Sequence, residues 1–102
     1  RGPFWPGVMV VNTEAERGPA YRKMLESVLA NRQFVGAHWF QYLDQPVTGR
    51  WLDGENGHLG LVGITDVPWH DFVLSVARTN RDVLGQLRRE AASVSTSGKS
   101  AD

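Results

Sequence analysis

Between Thr13 and Asn31 the apolar residues Tyr21, Met24, Leu25, Val28 and Leu29 recur three and four positions apart, the spacing that lines one face of an α-helix. Thr13 and Glu16 match a capping box, in which the glutamate carboxylate returns to the backbone N–H of the cap residue. A helix is therefore predicted over 14–30, with Asn31 ending it. The pattern then changes. Phe34-Val-Gly-Ala-His-Trp-Phe-Gln-Tyr42 is aromatic and β-branched, has no helical period, and carries apolar side chains on both alternating faces. That predicts a strand buried on both sides, as in a parallel sheet covered by helices. A helix followed by such a strand is the αβ half of a βαβ unit, so the fold class read here is α/β.

Residues 43–58 are rich in turn formers and polar side chains, and a polar loop directly after a buried parallel strand is where α/β folds keep their sites. A short strand is predicted within Leu59–Ile64. Asp66 is read as the cap of a helix over about 69–90, with Pro68 near its first position, where the missing N–H costs nothing. Its inward stripe is Phe72, Val73, Val76, Val83, Leu84 and Leu87, interrupted by Asn80. Residues 1–12 read as a loop leading into a short apolar run. Residues 93–102, almost without apolar side chains, read as a disordered tail, so that 1–92 would be the structured part.

Length and charge narrow the classes. At 102 residues the chain has room for one small domain and not two. Eleven basic residues balance eleven acidic ones, leaving no electrostatic footprint for nucleic acid or an anionic membrane surface. No apolar run approaches the roughly 18–20 residues of a spanning helix. Cysteine is absent, which removes disulfides, thiolate catalysis and thiolate metal sites. The abrupt opening on Arg1-Gly-Pro-Phe-Trp-Pro-Gly is how a piece of a longer chain would begin.

Four tryptophans, at 5, 39, 51 and 69, are many for this length. Each offers a large apolar face and one N–H donor, which suits a core and equally suits the C–H face of a sugar ring. In an extended segment Trp39 and Gln41 fall on one face and His38, Phe40 and Tyr42 on the other. From strand position alone, Trp39 as core and Trp39 as sugar platform are evenly matched. His38, lone in an apolar run, reads as a hydrogen-bonded structural residue with a hydroxyl contact as the alternative. His58 and His70 have no partner at metal-ligand spacing, so no metal and no cofactor is expected.

The loop residues Asp44, Gln45, Arg50, Glu55 and Asn56 form the best functional cluster, since planar amide, guanidinium and carboxylate groups grip vicinal hydroxyls. Set beside this is a loop that cross-links itself, with Arg50 paired to Asp44 or Glu55. Asp53 and Glu55, two residues apart on a loop, have no fixed mutual geometry and are not read as a catalytic pair. Glu14 and Glu16 read as first-turn helix residues suited to the macrodipole. The arginines of both helices read as solvated faces.

The stretch Phe34-Val-Gly-Ala-His-Trp-Phe-Gln-Tyr-Leu-Asp-Gln-Pro-Val-Thr-Gly-Arg50, with Asp53-Gly-Glu-Asn56, resembles the end of the barrel in the β-agarases of glycoside hydrolase family fifty. Arg1-Gly-Pro-Phe-Trp-Pro-Gly7, Thr13-Glu-Ala-Glu-Arg-Gly-Pro-Ala-Tyr21 and Ile64-Thr-Asp-Val-Pro-Trp69 extend the resemblance over roughly residues 1–90. It implies the C-terminal quarter of a (β/α)8 barrel: helix seven, strand eight, its long loop and helix eight. It further implies a retaining hydrolase acting on agarose-like β-galactan, secreted or periplasmic. Trp39 would floor the subsite of the cleaved sugar, and His38, Gln41, Asp44, Gln45, Arg50, Glu55 and Asn56 would line the cleft.

The resemblance places the acid/base glutamate after strand four and the nucleophilic glutamate at the end of strand seven, both upstream of Arg1. Retaining hydrolysis needs the two carboxyl groups about 5–5.5 Å apart, so this chain by itself would lack the chemistry, and its partner would be the remainder of the barrel. Two rivals stand beside this reading: a β-galactosidase-like barrel segment, and a stand-alone α/β module binding carbohydrate or protein through Trp39 and Trp51. The module predicts covered edges and a complete core. The segment predicts uncovered apolar surface along the strand.

Overall fold

A computed structural model describes residues 10–99, with side chains described through Thr96. The expectations for residues 1–9 lie outside this range. Glu14–Glu16 form a short 3-10 turn that runs directly into helix α1, Arg17–Ala30. The Glu16 carboxylate accepts from the backbone N–H of Thr13 at 3.0 Å and of Asn12 at 2.7 Å, which is the return half of the expected capping box. Asn31 leaves the helix with extended backbone, and its N–H still reaches the Val28 carbonyl. The predicted helix over 14–30 thus matches the observed one within its boundaries.

Helix α2 spans His70–Lys99. Its start agrees with the expectation, but Asp66 is not its cap. Asp66 has φ of 65° and closes a turn onto the Gly63 carbonyl, after which Pro68 bridges Val62 in antiparallel sense. Trp69 gives the helix its first acceptor, the Val73 N–H bonding its carbonyl at 2.9 Å. The far end also differs: α2 continues to Lys99 through residues read from composition as a disordered tail. Residues 91–96 are all exposed, so this extension rests on backbone bonding propagated from the preceding turns and not on burial.

The two helices pack through α1's first turns. Arg17 lays its guanidinium 4.0 Å from the Phe72 ring centre. Tyr21 donates its hydroxyl proton to Asn80 Oδ1 at 2.6 Å, and Arg22 pairs with Asp82 at 2.8 Å. Asn80, the residue that breaks the apolar stripe of α2, is therefore, with Asp82, a polar partner of α1.

The segment 34–42 departs from expectation. It follows α1 in irregular backbone, and among the described residues it forms no ladder. Only its end pairs: Leu43 bridges Val62 in parallel sense, with Val62 N–H to the Tyr42 carbonyl at 3.0 Å and Asp44 N–H to the Val62 carbonyl at 2.8 Å. The expected strand over Leu59–Ile64 is reduced to the same bridge. A strand is made by hydrogen bonds from neighbours along both edges, and among the described residues none runs beside 34–41. The side chains expected to be buried on both faces, Phe34, Val35, Phe40 and Tyr42 among them, are exposed. Val62 and Phe72 are the hydrophobic residues fully buried among those described, whereas Arg17, Asp44, Gln45 and Thr79 are buried polar ones. What holds the loops to the helices is a polar cluster.

Candidate functional site

Residues 43–60 leave the Leu43 bridge, turn out and return to Gly60. Their path is set by two internal clasps. In the outer clasp, Gly49 and Gly54 adopt φ of 88° and 76°, conformations that glycine takes without steric cost. The Arg50 N–H reaches the Glu55 carbonyl and the Gly54 N–H reaches the Arg50 carbonyl, both at 2.8 Å. The Arg50 guanidinium makes a fork on Asp53, Nε to Oδ1 and Nη2 to Oδ2 at 2.6 Å each, and also reaches Glu55 Oε2 at 2.9 Å. Hydrogen bonding from Arg50 holds the Asp53 carboxyl at about 2, well below its ordinary value, and Asp53 in turn raises Arg50. Trp51 stands at the tip of this turn, 94 % exposed.

The inner clasp is centred on Asp44 and Gln45, 4 % and 1 % exposed. Gln45 accepts from the Gly57 N–H at 2.7 Å and donates to Glu55 Oε2 at 2.7 Å. Asp44 Oδ1 accepts from the Gly60 N–H at 2.6 Å. Its Oδ2 lies 2.8 Å from His58 Nδ1 and 3.1 Å from the Trp69 indole nitrogen. Burial pushes the Asp44 carboxyl up, but the hydrogen bonds from His58 and the Gly60 N–H outweigh it and leave the group below its ordinary value.

On the opposite side of the His58 ring, Nε2 is 2.6 Å from Glu14 Oε2. Glu14 is likewise pushed up by burial and brought below its ordinary value by His58 and Arg17. Arg17 donates to Glu14 Oε1 and to the Gly60 carbonyl, each at 2.7 Å, and the Trp69 ring meets the His58 ring edge-on at 4.4 Å. Glu14, read from sequence as a helix-start residue only, is thus tied to the loop forty-four positions away.

Trp39 sits beside this cluster. Its indole N–H donates to the Leu59 carbonyl at 2.9 Å. The ring meets Tyr21 edge-on at 5.6 Å and Phe72 at 5.2 Å, and the residue remains 37 % exposed. His38 is exposed, and Gln41, half-buried, donates to the Leu43 carbonyl at 2.9 Å. Asn56 donates to the Val47 carbonyl at 3.2 Å, while its buried Oδ1 has no hydrogen-bond partner among the described residues.

Of the eight residues singled out, Gln45, Arg50 and Glu55 are brought together, but on one another, as in a self-cross-linked loop. The pairing differs in detail, since Arg50 takes Asp53 as well as Glu55 and leaves Asp44 to His58. Trp39 and His38 keep exposed surface. Glu14, Arg17 and Trp69, and the role of His58 within the loop, were missed; the start of α1, the loop and the start of α2 meet here, and no spacing along the chain signals that meeting. Among the described residues no group of three metal-capable side chains is arranged around a cation, and no helix is long and apolar enough to cross a membrane.

Known proteins that match the chain are polysaccharide-degrading glycosidases. Within that class they are β-agarases of glycoside hydrolase family fifty, and the chain corresponds to a segment of that family. It is 43 % identical over 82 residues to β-agarase B of Vibrio sp. (strain JT0107) and 47 % identical over 68 residues to β-agarase A of the same strain, covering 80 % and 67 % of this chain. Among solved structures, an exo-β-agarase superposes with a TM-score of 0.72 at 42 % identity over 78 % of the chain, and the agarase AgWH50C with 0.73 at 40 % identity over 81 %. PfGH50B gives 0.73 at 36 % identity over 79 %. No family model matches. The chain spans 9 % and 7 % of the two Vibrio agarases and 11–12 % of the solved chains, so it corresponds to a small part of such enzymes.

Proposed function

We propose that this chain is the C-terminal quarter of a (β/α)8 barrel in a retaining glycoside hydrolase acting on agarose-like β-galactan. In this reading α1 is helix seven, 34–42 is strand eight, 43–60 is the loop after it and α2 is helix eight. The segment builds one wall of the substrate cleft, and the two catalytic glutamates come from parts of the barrel outside this chain.

One observation carries the reading. The run 34–43 holds Phe34, Val35, Phe40, Tyr42 and Leu43 exposed, in a pattern suited to burial on both faces and with open edges. Such surface is what a barrel strand offers to neighbours contributed by the rest of the barrel. A stand-alone module would need a larger core than Val62 and Phe72 supply among the described residues.

Within the cleft, Trp39 is the platform for the sugar at the cleavage point, fixed by its bond to Leu59 and by the rings of Tyr21 and Phe72. His38 and Gln41 flank it as hydroxyl contacts, and Asn56, half-buried and bonded to the Val47 carbonyl, lines the wall behind them. Gln45, Arg50 and Glu55, engaged with one another, and Asp44, engaged with His58, give the wall its shape, and Arg50 and Glu55 keep partial exposure for sugar hydroxyls.

The test is Trp39→Ala in the intact protein that carries this chain, assayed on agarose oligosaccharides. A fall in kcat/KM of about a hundredfold or more is expected, since stacking on a sugar in the transition state is lost outright. Unchanged kcat/KM overturns the platform.

A further inference from the structure

Leu59 belongs to no helix or strand, yet its carbonyl is the acceptor that orients the Trp39 indole. Its two neighbours are immobilised by one carboxylate. Asp44 Oδ2 meets the His58 ring at 2.8 Å and Asp44 Oδ1 takes the Gly60 N–H at 2.6 Å, so the carboxylate straddles Leu59. The outer side is closed as well: Glu14 holds the second His58 nitrogen at 2.6 Å, and Arg17 holds the Gly60 carbonyl at 2.7 Å. There is no slack at Gly60, where an added Cβ would fall onto the backbone of Leu43 and Asp44.

We propose that Asp44 and His58 are positioning residues for Trp39, setting the plane of its ring by clamping the Leu59 carbonyl. Neither need touch substrate. The inference rests on Trp39 being the sugar platform, and it gives that platform its means of orientation. An indole with a free N–H can swing about χ1 and χ2; one anchored at Nε1 and packed against the touching rings of Tyr21 and Phe72 presents a fixed face. Of the two His58 contacts, the Nδ1 bond to Asp44 acts directly on the clamp, while the Nε2 bond to Glu14 ties it to the start of α1.

The two nitrogens can be separated by substitution. An asparagine amide nitrogen mimics Nδ1, and a glutamine amide nitrogen mimics Nε2. The intact protein carrying this chain is labelled with 5-fluorotryptophan, the Trp39 resonance being assigned by Trp39→Phe, and kinetics are measured on an agarose oligosaccharide.

His58→Leu is expected to shift and broaden the Trp39 resonance and to lower kcat/KM about tenfold or more. His58→Asn is expected to restore both toward the parent, and His58→Gln is not. A Trp39 resonance that stays in place in His58→Leu and His58→Gln overturns the positioning role, whatever Trp39→Ala does to the rate. Equal behaviour of the asparagine and glutamine variants also overturns it, because a general structural role does not distinguish the nitrogens. A moved resonance beside a neutral Trp39→Ala leaves the positioning standing and overturns the platform reading instead.

Discussion

Asp44 and His58, fourteen positions apart, meet through Oδ2 and Nδ1 at 2.8 Å, and this pair joins the end of the aromatic run to the returning limb of the loop. Because Asp44 is buried, its removal strands three donors among the described residues: the His58 ring, the Gly60 N–H and the Trp69 indole. Asp44→Ala is expected to cost the intact protein about 3 kcal/mol, the range for breaking a buried charged pair and leaving its partners unsatisfied. Urea unfolding followed by tryptophan emission measures it. A loss under about 1 kcal/mol would mean that water replaces the carboxylate at no cost.

Acid should loosen the loop. Asp53 has a depressed folded-state value of about 2 against an ordinary 3.8, so its contribution is complete above about 4 and is lost as pH falls through about 2. Asp44 and Glu14 shift in the same direction, so theirs too is present at neutral pH and lost in acid. The anisotropy of Trp51, at the tip of the Arg50–Asp53 turn, is expected to fall between pH 4 and 2. Asp53→Asn is expected to show the low value at every pH.

Helix α1 was legible because its signals are local: a three-four apolar spacing, a box at Thr13 and Glu16, and an asparagine at its end. The run 34–42 was not, because apolar alternation states a capacity for pairing, whereas a ladder also needs neighbours. The site divides in the same way. Arg50, Asp53 and Glu55 lie within one turn, and a self-cross-linked loop could be anticipated from composition. The Glu14–His58–Asp44 chain could not, since it joins α1 to both limbs of the loop and leaves no period in the sequence. Asp66 misled for a related reason: its αL tolerance serves a turn as readily as a cap.

Gly18 allows α1 to approach α2, and an added Cβ there would collide with the Ser75 side chain, coming within 2.7 Å of its Cβ. Gly18→Ala is expected to destabilise by about 1–3 kcal/mol, the usual cost of overpacking, despite the better helix propensity of alanine. Adding Ser75→Gly should return part of that loss. A double-mutant cycle with no coupling would place the cost elsewhere.

The end of α2 supplies a contrast within one helix. Around Phe72 and Thr79 the helix is buried against α1, each residue being 2 % exposed, whereas 91–96 face solvent throughout. Breaking the backbone ladder should therefore matter only at the packed end. Val76→Pro is expected to cost about 3 kcal/mol or more, from a lost hydrogen bond, a ring clash and a displaced packed face. Ser95→Pro should cost less than about 1 kcal/mol, because the turns it disrupts bury nothing and open readily. Native-state amide exchange checks the same point without mutation: the N–H groups of 93–96 should exchange at near-unprotected rates while those of 73–79 follow global unfolding. Strong protection at 93–96 would mean that this end of the helix docks on another surface.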